Sequence, residues 1–528
     1  MSSGSLLSWI VFTPLLGAVI SLFTPDERLV RRVALAVTAV TFALSLLVLQ
    51  PYVMPSTAQT ADGPYGAMHF EQRVPWFASA DGAMRVTYHV GVDGLSAPLV
   101  VLTTFTTLLA CAASWNFSTW QTRRGARGYF SLLLLLETGM LGVFTALDFV
   151  LFYVFWELML LPMYFLIGVW GGPRREYAAI KFFIYTLVGS VVMLVPLLAF
   201  YFYAPPDVRT FDLLALATNP AIQSAFRDEM FFGLDFGPVM FLLLFIGLAI
   251  KIPAVPLHTW LPDAHVEAPT PISMILAGVL LKTGAYGLLR IAVPILPDAA
   301  QTLSAFLGAV GVVSILYGAF CALGQRDFKR LVAYSSVSHM GYVVLGIASL
   351  TPAGWSGALF QMIAHGISSP MCFFLVGVIY DRAHHRELDR FGGLWLSMPR
   401  YGGLATIGFF AALGLPGLCG FIGEVLAILG AFQSQSLAAR GVATLFGVLA
   451  ASGAILTAAY VLWMMHRVFL GKERPEYNGF ADCSARETAI LAPLAALCVL
   501  LGVLPQLVLS VMSGTVSRIL DLTAPLAR

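Results

Sequence analysis

Residues 241–293 read FLLLFIGLAIKIPAVPLHTWLPDAHVEAPTPISMILAGVLLKTGAYGLLRIAV. Two runs of membrane-spanning composition each carry one lysine, Lys251 and Lys282. A charged side chain at membrane depth costs about 3 kcal/mol or more, so a residue of this kind is a functional candidate by default. The first run is interrupted by Lys-Ile-Pro-Ala-Val-Pro at 251–256. Proline removes a backbone donor and clashes with the preceding turn, so the helix must break or kink there. Such a break survives at membrane depth only when it is buried in protein or lines a water-filled cavity. The pattern recurs at 413–420, Leu-Gly-Leu-Pro-Gly-Leu-Cys-Gly, with Glu424 just beyond it. A fourth charge, Glu157, lies in FYVFWELMLLP. Two acids and two bases in one hydrophobic chain suggest a path for protons.

The rest of the composition agrees with a membrane protein. Of 528 residues 59% are hydrophobic and 11% charged, against roughly a quarter charged in a soluble domain. Mean hydropathy is +0.84, and the formal net charge of +2 says nothing about nucleic acid. Six single cysteines with no CxxC pair argue against a disulfide framework, a zinc site or an iron–sulfur site. The N-terminal apolar run has its positive charges after it, at Arg28, Arg31 and Arg32. This predicts a retained first helix with its N-terminus outside rather than a cleaved signal peptide.

A span needs about 20 mostly apolar residues. Fourteen are predicted, at 5–24, 31–50, 93–115, 128–147, 149–170, 178–203, 236–257, 270–293, 302–323, 330–350, 355–380, 402–432, 441–469 and 487–512. The fold class is therefore an all-α membrane protein. Longer polar loops at about 51–90 and 204–235 face one side. Loops of the other side hold 20 of the 30 Lys and Arg, among them Arg123, Arg124, Arg174, Arg175, Lys181, Arg326, Lys329, Arg330, Arg382 and Arg386. By the positive-inside rule that side is cytoplasmic and both termini are outside. The two interrupted spans are five apart, each beside a charge, as in inverted repeats. The predicted division is 1–127 for the first three helices with the external loop 51–90, 128–295 and 296–470 for two five-helix repeats, and 471–528 for a C-terminal loop and last helix. Two ordinary proline kinks would read the same way, since proline is frequent in membrane helices.

Glu157 has no charged neighbour in sequence, so its partner must come from another helix, and Lys251 is the candidate. A buried lysine beside a carboxylate keeps its proton, and removing the carboxylate's charge lets desolvation drive the proton off. The alternative is a static ion pair. Lys282 has Gly278, Gly284 and Gly287 near it, which leaves room for water. Lysine exchanges a proton when buried, whereas arginine stays charged; a lysine nearer the membrane edge would instead snorkel outward. His258 and His265 flank the end of the broken seventh span, His339 lies in the tenth (SSVSHMGYVV) and His365 in the eleventh (FQMIAHGISSP). Histidine relays protons near neutral pH, although any one of them is equally at home as a hydrogen-bonded core residue. Ser335, Ser336, Ser338 and Gln361 lie near the last two. No two ligands fall at i, i+4 with a third in reach, so no metal site is expected. Glu424 is a candidate end of the relay and Glu137 an auxiliary partner. Asp148 reads as a turn residue, and His384 and His385 as solvated loop residues.

The stretches FWELMLLPMYFLIGVWGG (155–172), KIPAVPLHTWLPDAHVEAPTPISMILAGVLLKTGAYGLLR (251–290), DFKRLVAYSSVSHMGYV (327–343) and LPGLCGFIGE (415–424) carry a family likeness. Over about 90–470 the chain closely resembles the antiporter-like membrane subunits of proton-pumping NADH:quinone oxidoreductase, respiratory complex I. Glu424 stands where two of the three sibling types carry lysine, and the chain lacks the long lateral helix of the largest, which points to the chain M (chain 4) type. The resemblance implies two inverted five-helix repeats with two discontinuous helices. It implies that Glu157 and Lys251 are a modulating pair, Lys282 the central lysine, His339 and His365 members of a hydrated axis, and Glu424 the terminal acid. It also implies that no cofactor is bound by this chain, and that NADH, FMN, iron–sulfur clusters and quinone belong to partner subunits. Those partners are other complex I membrane subunits, especially the two sibling chains, in a bacterial inner membrane. The same fold serves multisubunit cation/proton antiporters and membrane-bound hydrogenases, which is the competing reading. A subunit binding quinone or flavin itself is opposed by the scattered cysteines and the absence of GxGxxG after a strand. A non-pumping scaffold is opposed by the cost of four buried charges.

Overall fold

The computed structural model describes residues 5–53, 68–79, 84–119 and 125–523. Arg123, Arg124, Arg528 and much of the 51–90 loop lie outside the described residues. Among the described residues, twelve helices are long and apolar enough to cross a membrane. They are α1 (Leu6–Phe23), α2 (Glu27–Val53), α3 (Ala97–Asn116), α4 (Ala126–Thr145), α5 (Phe149–Trp170), α6 (Arg175–Tyr203), α9 (Thr270–Ile295), α10 (Ser304–Leu323), α11 (Phe328–Ala348), α12 (Pro352–Ala383), α15 (Ala443–Val468) and α16 (Ala485–Val503). Two shorter apolar helices, α7 (Phe236–Lys251) and α14 (Cys419–Gln433), sit where the interruptions were predicted. Alongside them lie α8 (Trp260–Glu267), α13 (Pro399–Leu413) and α17 (Gln506–Thr523). In hydrocarbon every backbone group must be satisfied within its own segment, so apolar runs of this length become helices.

The bundle has a centre. The apolar windows of α9 and α12 are 100% buried within the chain and that of α11 is 94% buried, whereas that of α2 is only 28% buried. Residues on α9, α11 and α12 are therefore shielded on all sides by protein, and α2 presents its apolar face outward.

Both interruptions are real ends of helices. α7 stops at Lys251, and the turn 252–259 leads into α8. The indole of Trp260 donates to the Ile250 carbonyl at 2.8 Å, which satisfies one of the carbonyls freed by the break. α13 ends at Gly414, a left-handed position (φ +79°) that glycine adopts without cost, and α14 restarts at Cys419.

Several expectations need correcting. The 51–90 loop contains an antiparallel hairpin, β1 (His69–Ala78) and β2 (Arg85–Val92). The 204–235 loop contains short helices at Leu213–Thr218 and Pro220–Asp228. The predicted last span at 487–512 ends at Val503, and α17 is a separate helix after Pro505. Lys329 is not a loop charge: it lies in the first turn of α11, 4% exposed, and donates to the Ala268 carbonyl at 2.5 Å. His385 is not free in solvent: it bonds the Tyr477 hydroxyl at 2.9 Å and stacks on Phe391. His384 is exposed, at the left-handed end of α12.

The hairpin is clamped to the 204–235 segment by charge. His89 lies between Asp212 and Glu71, 2.9 Å from each, and Arg73 reaches Asp212 at 2.9 Å. Burial works to lower the His89 pKa, but the two carboxylates outweigh it and the pKa is raised. Burial works to raise that of Asp212, but His89, the Ala215 amide and Arg73 outweigh it and the pKa is lowered. Asp148 is the turn residue predicted: it caps α5 through the Val150 and Leu151 amides and accepts from Thr87 of β2.

Candidate functional site

Lys282, His365, His339 and Glu424 come from four helices and meet in one line. Lys282 Nζ is 2.7 Å from His365 Nδ1. The rings of His365 and His339 are 5.6 Å apart between centroids. His339 Nδ1 is 3.0 Å from Glu424 Oε1. All four are buried, Lys282 completely. At that depth it cannot snorkel, because its ammonium ends on protein groups rather than at an interface.

Local backbone choices produce the line. The helix of Lys282 is widened to π-geometry at Leu276–Leu280, just before the lysine, and again at Leu288–Ala292. Widened turns displace carbonyls from the regular ladder and are frequent at functional sites. Here the Ala277 carbonyl accepts a hydrogen bond from Lys282 Nζ. Gly278, in the same turn, sets the spacing to α12: a Cβ there would lie 2.9 Å from Pro370 Cγ and 3.4 Å from the Gly366 carbonyl. The absent side chain lets α9 approach α12 one residue from His365. Gly414 acts similarly at the far end, where Glu424 Oε2 fills the space a Cβ would need, 2.8 Å away.

A small cavity adjoins the two rings, lined by Ser335, His339, His365, Ser368, Ser369 and Tyr460. Ser335 shares a hydrogen bond with the Tyr460 hydroxyl at 2.7 Å. Gln361 Nε2 is 3.5 Å from His339 Nδ1. The Nε2 atoms of His339 and His365 are buried and have no hydrogen-bond partner among the described residues. Buried polar atoms of this kind are ordinarily satisfied by ordered water.

Lys251 is 2% exposed and closes α7. Its ammonium lies 4.9 Å from the centre of the Trp156 ring and makes no hydrogen bond among the described residues. Glu157, the next residue, is half-buried, and its Oε1 has no partner. The two charges are near enough to act on each other, but no ion pair within 4.0 Å joins them among the described residues, so a static salt bridge is not what holds them. Gly284 brings the turn of Lys282 against that of Lys251: a Cβ there would fall 2.5 Å from the Leu248 carbonyl and 3.0 Å from the Ile252 amide.

The other candidates lie beside this line rather than in it. His258 packs its ring edgewise on Tyr317 at 5.1 Å. His265 stacks on Phe373 at 4.3 Å, and neither ring nitrogen is bonded. Glu137 is completely buried, and neither of its oxygens has a hydrogen-bond partner among the described residues. Three features escaped the sequence reading. One is the Asp93–Arg290 ion pair at 2.6 Å. Another is buried Lys329. The third is Asp263, which gathers Lys181 at 2.7 Å, Arg330 at 3.6 Å and Arg174 at 3.9 Å. Asp93 follows a valine at the start of a predicted span and Arg290 closes another, so only their meeting distinguishes them from edge charges.

The chain is similar to known proteins over nearly its whole length. The transmembrane family described as NADH:quinone oxidoreductase/Mrp antiporter matches residues 146–450. The amino-terminal family of NADH-ubiquinone oxidoreductase chain 4 matches residues 73–142. NADH-quinone oxidoreductase subunit M of Rhodobacter capsulatus is 42% identical over 529 residues, covering 98% of this chain and 96% of the relative. A chain of respiratory complex I from Thermus thermophilus with bound NADH superimposes with a TM-score of 0.82 at 28% identity, covering 98% of this chain and 100% of that one. A chain of the Mrp complex from a Dietzia species shares the fold, with a TM-score of 0.81 at 22% identity over 100% of this chain and 99% of that one. The chain therefore belongs to the antiporter-like membrane subunits of NADH:quinone oxidoreductase, within the subunit M (chain 4) family.

Proposed function

We propose that protons cross this subunit along Lys282, His365, His339 and Glu424, with Glu157 and Lys251 as the pair that controls loading of Lys282. The chain is a membrane subunit of an H+-translocating oxidoreductase, and its part in the reaction is to move protons. NADH, flavin, iron–sulfur clusters and quinone belong to partner subunits, and the sibling antiporter-like chains are its neighbours in a bacterial inner membrane. The arginine-rich loops face the cytoplasm, and 128–295 and 296–470 are the two inverted repeats, each with one broken helix.

The observation that carries the reading is the order of groups from Lys282 to Glu424, with hydrogen-bonding contacts at both ends and one gap between the two imidazoles. Each imidazole can take a proton at one nitrogen and give one from the other. Lys282 Nζ gives to His365 Nδ1; His365 Nε2 gives, through one bridging water, to His339 Nε2; His339 Nδ1 gives to Glu424 Oε1. Four helices would not bring four ionisable groups together at membrane depth for packing alone, because each costs free energy to bury.

Pumping in reconstituted vesicles tests this. Glu424→Gln keeps the shape and loses the titratable group, and it should lower protons pumped per NADH. Glu424→Lys should be milder, since lysine also exchanges a proton. Pumping by Glu424→Gln at the parent ratio would make Glu424 structural and end the path elsewhere.

A further inference from the structure

A second buried charge system is left unused by the relay. Arg290 donates from Nη2 to Asp93 Oδ1 at 2.6 Å, and each side chain is 1% exposed. Lys282, Tyr286 and Arg290 follow one another at i, i+4 and i+8 on one face of α9. Arg290 Nε donates to the Tyr286 hydroxyl at 3.3 Å, which in turn donates to the Phe144 carbonyl at 3.1 Å. Asp93 is held from its own side: Oδ1 also accepts from the Leu95 and Ser96 amides at 3.0 and 3.1 Å. The neighbouring Gly94 amide donates to Thr515 of α17 at 3.0 Å. At about 1.5 Å of rise per residue, Arg290 stands roughly 12 Å along α9 from Lys282.

We propose that Asp93 is the counter-charge that sets how readily Lys282 takes up a proton, by cancelling a fixed positive charge on the lysine's own helix. This rests on Lys282 being an exchanging group, as above. Arginine does not give up its proton, so without Asp93 its charge would act on Lys282 permanently. At an effective dielectric constant of about 20, a bare unit charge at roughly 12 Å changes a proton equilibrium about tenfold. The other groups facing Lys282 are His365 of α12, with His339 of α11 behind it, and His265 of α8. Lys251 lies on the adjoining end of α7. None of these changes when the pair is altered. A merely structural pair would clasp α3, α9 and α17 together and leave Lys282 alone.

The test uses the whole complex in vesicles, with pumping measured against pH and normalised to assembled complex. Asp93→Asn removes the negative charge beside Arg290, so the profile should move about one pH unit towards acid. Arg290→Met leaves Asp93 bare and should move it towards alkali. The double variant Asp93→Asn/Arg290→Met should return it to the parent position. If Asp93→Asn does not assemble, the alkaline displacement in Arg290→Met and the restored profile of the double variant still decide the matter. Loss of assembled complex with no displacement in any variant would overturn the proposal and leave a clasp. Lys282→Ala separates this from the reading beneath it: pumping at the parent ratio in that variant would remove the lysine itself from the path.

Discussion

Replacing Lys251 by methionine should stop pumping without weakening the fold. Lys251 is 2% exposed and its ammonium makes no hydrogen bond among the described residues. Removing an ion of this size from water costs several kcal/mol after relaxation, which a partner must offset. The partner found here is the face of Trp156 at 4.9 Å, and a desolvated cation–π contact contributes about 2 kcal/mol. Glu157 adds attraction but no hydrogen bond. The balance is unfavourable, and replacing such a buried charge with an apolar side chain of similar volume is neutral or stabilises by about 1–4 kcal/mol. Hydrogen exchange of residues 245–260 in the intact complex reads this locally, since about 1 kcal/mol corresponds to roughly fivefold in protection. Lys251→Met should exchange at the parent rate or more slowly while protons pumped per NADH fall sharply. Faster exchange by fivefold or more would show that the lysine is a structural clasp, and undiminished pumping would show that it controls nothing.

Gly278→Ala should lower pumping, because the new methyl meets Pro370 Cγ and Thr106 Cγ2 at 2.9 Å and overpacking of about 1–3 kcal/mol pushes α9 off α12. Parent pumping in that variant would deny the Lys282–His365 contact a role. The hairpin clamp should be tightest at mildly acidic pH, measured as amide exchange across 69–78 and 85–92. His89, with its raised pKa, contributes fully below about 6.5 and loses its contribution as pH climbs through the folded value. Asp212, with its lowered pKa, contributes above about 3.9 and loses its contribution as pH falls through the folded value. Exchange that keeps slowing above pH 8 would contradict this. A cysteine placed at exposed Glu387 should react with an impermeant maleimide only from the cytoplasmic face, and labelling from outside would invert the topology.

The helices and their breaks were legible because their causes are local. Apolar length makes a span, and the breaks fall where prolines are clustered or flanked by glycine, at Pro253 with Pro256 and at Pro416 between Gly414 and Gly417, whereas the lone Pro14, Pro196, Pro370 and Pro493 lie inside continuous helices. The four residues of the proposed relay were legible one by one, as ionisable groups in segments where such groups are costly. Their order was not. It depends on Gly278 meeting Pro370 and Gly366, and on Gly414 receiving Glu424, which are contacts between helices distant in sequence. The widened turns around Lys282 were equally invisible, since LAGVL and LLRIA have nothing that separates a π-turn from an ordinary one. Lys329 and the Asp93–Arg290 pair were missed for a different reason. Charges near predicted span ends read as interfacial, and only the packing of α8 and α3 around them makes them interior. The hairpin was hidden by its polar edge: β1 is mostly exposed, so its alternation is not apolar-in and polar-out.

The two broken helices treat their charges alike in one respect. α7 ends on Lys251, and a helix C-terminus carries partial negative charge; Glu424 lies in the second turn of α14, near the positive end. Each charge therefore has the sign its helix end favours. The effect is small, about 0.3–1 kcal/mol within the terminal turn, against several kcal/mol for burying either ion. A helix end alone cannot keep such a group charged, but it can narrow the gap between charged and neutral forms. A narrow gap is what a relay requires, because a group fixed in either state passes nothing on. Glu424 adds His339 at 3.0 Å as the donor that would protonate it, whereas among the described residues Lys251 meets an aromatic face and is not hydrogen-bonded to Glu157. The asymmetry fits their proposed roles: Glu424 exchanges a proton with a bonded neighbour, and Lys251 responds to the charge of Glu157 across a gap. Glu424 lies one turn in from the end of α14, where the helix end acts weakly, so Glu424→Lys should retain exchange, with any displacement of the equilibrium set by the nearby His339 rather than by the helix end.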